Sequence, residues 1–151
     1  MNLKVNEENA LVTISKRLGV TRDDLFNLIN FESKWNPLAR NKKTGARGLI
    51  QFMNDTSKTL GYLNSDDLVI KNSTIESQLS GPVYKYLKYF KPFTGKQSLY
   101  MSVFYPKFRN VSPDTAFSQM VTKYNPGIDT VQDYINLVEG KKKLNLDPVS
   151  V

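Results

Sequence analysis

The sequence predicts an all-α globular protein of about six to eight helices. Three observations predict it. Apolar residues recur at three- and four-residue spacing in most segments, N-capping residues precede these runs, and glycine or proline closes them. The domain is read as residues 1–140, with 141–151 as a basic C-terminal tail.

The first helix is expected from Asn6 to Leu18, with Asn6 as N-cap, Glu7 and Glu8 in its first turn and Gly19 as the stop. Ala10, Leu11, Ile14 and Leu18 form its apolar stripe. Thr21-Arg22-Asp23-Asp24 resembles a capping box and starts a second helix through Leu25, Phe26, Leu28 and Ile29 to Glu32. Pro37 disfavours helix at Asn36, so this helix ends near Ser33 to Trp35. Asn54 to Thr56 cap a short helix that Gly61 stops. Residues 61–73 read as an irregular turn with Leu63, Leu68, Val69 and Ile70 tucked inward.

Thr74 to Phe90 carries a stripe of Ile75, Leu79, Val83, Tyr86, Leu87 and Phe90, kinked or split at Gly81-Pro82. Ser98 to Tyr105 is apolar nearly all round: a buried helix among helical surroundings, with a strand as the alternative. Ser112-Pro113-Asp114 predicts a helix to about Lys123, broken by Tyr124-Asn125-Pro126-Gly127. Thr130 to Asp133 then starts a last helix that Gly140 stops.

Composition narrows the chemistry. The chain has 151 residues, enough to bury a core, with no apolar run of the ~18 residues a membrane span needs. It contains no Cys and no His, which excludes disulfides, thiolate catalysis, Ser–His chemistry and ordinary zinc sites. Acid–base work therefore falls to Asp, Glu, Tyr or Lys. The net charge of +7 fits solubility or attraction to a polyanion, either nucleic acid or cell wall. The N-terminus, MNLKVNEENALV, has acids where a secretion signal needs a basic then apolar stretch.

Residues 25–61 hold the chemical signal. Glu32 closes an apolar helical run, next to an aromatic and at the negative end of the helix dipole, so it should keep its proton longer than an exposed carboxylate. A general acid needs that property near neutral pH. Glu32-Ser33, Asn36-Pro37-x-Ala39 and Gly45-Ala46-x-Gly48-Leu49-Ile50-Gln51 follow in order. Together they resemble the soluble lytic transglycosylase family, related to goose-type lysozyme, with Ile50 where Met is commoner.

The resemblance implies a lysozyme-like fold and cleavage of the β-1,4 bond between N-acetylmuramic acid and N-acetylglucosamine. Glu32 would act as the single acid and base and form a 1,6-anhydro sugar, with no metal or cofactor. It implies substrate contacts for Ser33, Asn41 and Gln51. Gly45 and Gly48 would permit positive φ or close approach of backbone to sugar. Leu49 and Ile50 read as core. Phe52 is either a sugar-stacking ring or core, and Trp35 either a lid over the second helix or a sugar platform. The family's Ala-Tyr-Asn-x-Gly block matches the letters of Tyr124-Asn125-Pro126-Gly127, while Tyr105 lies nearer the expected distance. Either tyrosine could meet the acid or an N-acetyl group.

A hydrolase of the same bond would want a second carboxylate, for which Asp55 is nearest, with Asp66 and Asp67 further off. Asp55 reads better as a helix N-cap, which favours transglycosylation over a goose-type muramidase. Two other classes stay open. One is an inactive wall-binding module. The other is a helix-turn-helix DNA binder over residues 11–29, opposed by Asp23 and Asp24 at the start of its recognition helix. Peptidoglycan is thus the expected partner, with no nucleic acid. LYMSVFYP followed by NPGID resembles phage tail- and virion-associated members, implying other virion proteins as partners and a phage particle, or release to the wall at lysis, as the location.

Overall fold

The computed structural model describes residues 1–141. Lys142 to Val151, the bulk of the expected basic tail, lie outside the described residues. Nine α-helical segments account for the architecture of the described residues, where β pairing is limited to isolated bridges.

Helix α1 spans Val5–Leu18 and α2 spans Arg22–Ser33. Helix α1 begins earlier than expected, because Lys4 rather than Asn6 caps it and donates its backbone N–H to Glu7 Oε1 at 2.8 Å. Asn6 instead hydrogen-bonds Glu76 across to a later helix. Gly19 stops α1 in the left-handed conformation at φ 74°. Thr21 caps α2 by accepting from Asp24 N at 3.1 Å. Both helices turn leucines and isoleucines into one core; Leu11, Ile14, Leu25, Leu28 and Ile29 are buried.

After α2 the chain reverses through Lys34 and Trp35, both left-handed at φ 53° and 62°. Such φ values are costly for side-chain-bearing residues and persist where packing fixes them. Here Trp35 is the fixing group, buried at 1% exposure against Phe26 with ring centroids 5.4 Å apart. Trp35 is therefore the lid on α2 and not a sugar platform.

Helix α3 (Asn54–Thr59) precedes α4 (Ser65–Lys71), which replaces the irregular turn expected there. Asn64 caps α4 through Asp67 N. A helix cannot turn every apolar residue of this segment inward. Leu68 and Val69 are buried, whereas Leu63 and Ile70 are about three-quarters exposed, at 74% and 75%. The next long stripe splits at Gly81-Pro82 into α5 (Ile75–Gln78), a wide π turn (Leu79–Val83) and α6 (Tyr84–Leu87). Proline has no N–H for the ladder, and Gly81 leaves helical geometry at ψ −105°. Ile75, Leu79, Val83 and Leu87 stay buried on one side, with Tyr86 and Phe90 half-buried.

Helix α7 (Lys96–Phe104) is the buried helix expected at 98–105, with Ser98 to Ser102 out of solvent. The helix expected from Ser112 is absent before Ser118. Pro113 and Asp114 form a tight turn closed by Thr115 N on Ser112 O at 3.0 Å, and the chain around Ala116 then pairs antiparallel with Thr130. The Thr115 and Pro113 carbonyls accept from Val131 N (3.1 Å) and Gln132 N (2.8 Å), and Phe117 N donates to Asp129 O (2.8 Å). Val131 and Gln132 open α9 (Val131–Val138), so this pairing satisfies helix N-terminal donors that would otherwise lack partners. The nonlocal pairing outweighs the local Ser-Pro start signal. Helix α8 is consequently short, Gln119–Tyr124, capped by Ser118. Thr130 and Asp133 form the capping box of α9 as expected. Helix α2, which carries Glu32, packs against α1, α7 and α9.

Candidate active site

Glu32 occupies the last turn of α2 and lines a cleft of about 430 Å³. The opposite walls come from the 41–53 loop (Asn41, Thr44, Gln51, Met53), from α7 (Val103, Phe104) and from the 124–128 turn (Tyr124, Asn125). Tyr134 of α9 closes the floor. Its hydroxyl donates to Glu32 Oε1 at 2.8 Å. The ring of Tyr134 stacks on Phe104, with centroids 4.3 Å apart, and meets Phe31 edge-on at 5.4 Å.

This apolar surround disfavours a charged carboxylate. Burial pushes the Glu32 carboxyl up to about 7, and the Tyr134 hydrogen bond works in the opposite sense by stabilising the anion. The carbonyl end of α2 adds to the preference for the neutral form. Burial, then the nearby Glu32 charge, raises the Tyr134 phenol well above its usual value, so Tyr134 remains a donor throughout the working pH range. Glu32 thus meets the requirement for a group that both releases and recovers a proton near neutrality.

The cleft's loop wall is fixed by a buried amide. Gln78 Oε1 accepts from Leu49 N at 2.9 Å, while its Nε2 donates to Pro37 O (2.6 Å) and Asn72 O (2.9 Å). One side chain therefore ties the turn after α2, the Gly48–Gln51 turn and the end of α4. Gly48 is required beneath it. Its φ is 85°, and a Cβ there would sit 2.8 Å from Gln78 Oε1. The close approach at Gly48 is thus to a core amide and not to sugar. Gln51 also has positive φ, 59°, and its Nε2 closes the turn on Gly48 O at 3.1 Å. Outside this turn Asp66 accepts from both Arg40 (2.8 Å) and Arg47 (2.5 Å).

The structure brings four of the predicted site residues to the cleft: Glu32, Asn41, Gln51 and Tyr124. Asn41 also shapes its own loop, its Oδ1 accepting from Lys43 N and Thr44 N. Tyr124 is 73% exposed, with Lys123 Nζ over its ring at 5.7 Å from the centroid. Three predicted residues lie elsewhere. Ser33 is buried and donates to Ile29 O at 3.1 Å, the ordinary fate of a serine in the last helical turn. Phe52 is core, 2% exposed and edge-on to Tyr86. Tyr105 turns away at the end of α7 and packs on Phe108 and Phe117.

The tyrosine that meets the acid is Tyr134, which sequence reasoning missed. Val131, Tyr134, Ile135 and Val138 form an ordinary apolar stripe, and only the phenol among aliphatics hinted at a polar duty. The candidate second acids are also placed. Asp55 is exposed in the first turn of α3, where Met53 is the N-cap, and Asp66 and Asp67 are held by Arg40, Arg47, Leu63 N and Lys71. None of the three lines the cleft.

The family model described as the transglycosylase SLT domain matches residues 12–146. Comparison with the curated proteins and with the solved structures gives no match. The matched span runs from the second half of α1 through α9, including Glu32 on α2 and Tyr134 on α9, and agrees with the helical, lysozyme-like architecture. The chain therefore belongs to the transglycosylase SLT domain family, whose activity is lytic transglycosylation of peptidoglycan.

Proposed function

We propose that Glu32 alone serves as acid and base in cleaving the bond between N-acetylmuramic acid and N-acetylglucosamine, leaving a 1,6-anhydro muramyl end. The neutral carboxyl gives its proton to the glycosidic oxygen as the bond from C1 breaks, which leaves an oxocarbenium-like sugar. The resulting carboxylate takes the proton from the muramyl 6-hydroxyl, whose oxygen closes on C1. No water enters, and Glu32 ends as it began. Tyr134 holds the carboxyl in place and eases the moment when it is charged.

One observation carries this reading: of the described residues lining the cleft, Glu32 is the one acidic side chain. An inverting hydrolase would need a second carboxylate ~6.5–9.5 Å away to activate water. Gln51, Asn41 and Asn125 offer amide donors and acceptors to N-acetyl and hydroxyl groups, and Tyr124 offers a ring face. The resemblance of LYMSVFYP and NPGID to virion-associated members supports a place on a phage particle or in its lysis route, which mass spectrometry of purified particles would check.

The decisive test is mass spectrometry of soluble products from purified peptidoglycan, comparing wild type with Glu32→Gln. Anhydro-muropeptides from wild type alone are expected. Reducing muramic ends would overturn the transglycosylase in favour of a hydrolase, and no products from either protein would leave a wall-binding module.

A further inference from the structure

Positive charge is unevenly spread along the chain. From 77 to 113 it carries Lys85, Lys88, Lys91, Lys96, Lys107 and Arg109 and no Asp or Glu. Folding gathers two of these cations with Arg17 at the end of α1. The Arg17 guanidinium lies 5.9 Å and Lys88 Nζ 5.7 Å from the centroid of the Tyr84 ring, and Lys91 Nζ donates to Arg17 O at 2.5 Å. Resting on peptidoglycan as the substrate, we propose that this cluster is a docking patch, separate from the cleft of Glu32, for an anionic polymer of phosphodiester repeats attached to the wall.

The cluster lacks a counter-charge. Among the described residues Arg17, Lys88 and Lys91 enter no ion pair, whereas Arg22, Arg40, Arg47, Lys71 and Lys96 each meet a carboxylate. Charges repel within a Debye length, about 8 Å at physiological salt, and the Tyr84 ring draws Arg17 and Lys88 together. The carbonyl end of α1 accounts for Arg17 and Lys91, because cations favour that end of a helix. It gives no reason for Lys88, whose charge adds to the repulsion. An anion laid across the three relieves it.

The patch and the cleft lie on different sides of α6. Residues two apart point about 200° from each other around a helix. Tyr84 meets Arg17 of α1, while Tyr86 turns to Phe52 and donates to Ser102 O at 2.6 Å, next to the cleft-lining Met53 and Val103. None of Arg17, Tyr84, Lys88 and Lys91 lines the cleft, so a polymer on the patch does not compete with a strand at Glu32. Stem-peptide carboxylates belong to that strand, on the Tyr86 side. Phosphodiesters stay charged at every working pH and accept from both guanidinium and ammonium groups. Tyr84 is half-buried and engaged by two cations, which leaves a nucleic-acid base no platform to stack on. Held by such a polymer, the protein stays on the wall between cleavages.

The test titrates the full chain with poly(glycerol phosphate) by calorimetry at about 50 mM salt. Arg17→Gln/Lys88→Gln/Lys91→Gln should weaken binding at least about tenfold and lower the slope of log K against log salt by about two to three. A control of equal charge, Lys34→Gln/Lys58→Gln/Lys107→Gln, should change affinity by no more than about twofold. Circular dichroism checks the fold of both; should the first misfold, Lys88→Gln alone is expected to weaken binding about two- to fivefold. Equal losses in the two triple variants would overturn the patch, as would duplex DNA or polyglutamate binding as tightly as the polymer. On sacculi the patch variant should raise KM with kcat unchanged, and the effect should vanish once hydrofluoric acid has stripped the phosphodiesters; its persistence there would also overturn the patch. Wild-type product analysis is independent: absence of anhydro ends with polymer binding intact would sink the lyase and keep the patch.

Discussion

Tyr134 and Glu32 stand 102 residues apart in the chain, yet the phenol donates to the carboxylate at 2.8 Å on the floor of the cleft. The bond is made where burial raises the acid and a neighbouring donor restrains that rise. Tyr134→Phe keeps the ring that packs on Phe104 and removes only the hydroxyl. The carboxyl then loses the interaction that favours its anion, so its pKa moves higher still. The alkaline limb of the pH–rate profile is expected to shift upward, while kcat falls about ten- to a hundredfold as Glu32 loses its orientation. A profile that shifts downward, measured on purified peptidoglycan, would contradict this role.

The elevated carboxyl also links stability to pH. Between its unfolded value near 4.5 and its folded value of about 7, the native protein holds a proton that the unfolded chain has released. Native stability from this site is therefore fully present below the lower value and lost as pH rises through the upper one. Glu32→Gln carries no charge and escapes the loss. It should match wild type at pH 4 and exceed it by at most about 3 kcal/mol at pH 8. Denaturant titrations at the two pH values measure the gap, and a gap that narrows toward pH 8 would refute the buried-acid account.

The two tyrosines that looked interchangeable in sequence should now separate. Tyr124 is exposed in the cleft, so Tyr124→Ala is expected to raise KM about three- to tenfold with stability within about 0.5 kcal/mol of wild type. Tyr105→Phe keeps the ring contacts with Phe108 and Phe117 and should leave both kcat and KM unchanged. Steady-state solubilisation assays on the two variants check the contrast.

Gln78 should prove costly to replace although it lies outside the cleft. Gln78→Leu orphans Leu49 N and the Pro37 and Asn72 carbonyls, an expected loss of about 3–5 kcal/mol. Gly48→Ala strikes the same amide and imposes φ 85° on a Cβ-bearing residue, for an expected loss of at least about 2 kcal/mol. Because both changes damage one arrangement, the double variant should lose less than the sum of the two. Thermal or denaturant unfolding of the three variants tests the coupling; strict additivity would mean that the contact between them carries no energy.

Local rules served well where the deciding forces are local. Gly19, Thr21, the Thr130–Asp133 box and the Gly81-Pro82 break all act through bonds a few residues away, and each was legible. The chemical blocks around Glu32 were legible too, because a buried acid at a helix end beside a glycine-rich turn is written in contiguous residues. The same rules failed at Ser112-Pro113, where strand-like pairing with 129–132 competes, and at 61–73, where a capped helix leaves Leu63 and Ile70 in solvent.

By itself, then, the sequence marked most of the helices, several of their caps and the carboxylate proposed here as the acid. Only the tertiary structure decided what surrounds that acid. The packing of α9 on α2 and α7 chose Tyr134 over Tyr105 and Tyr124 as the partner of Glu32. A side chain's nearest polar neighbour across the core follows from how helices are laid against one another, and no periodicity along one helix encodes it.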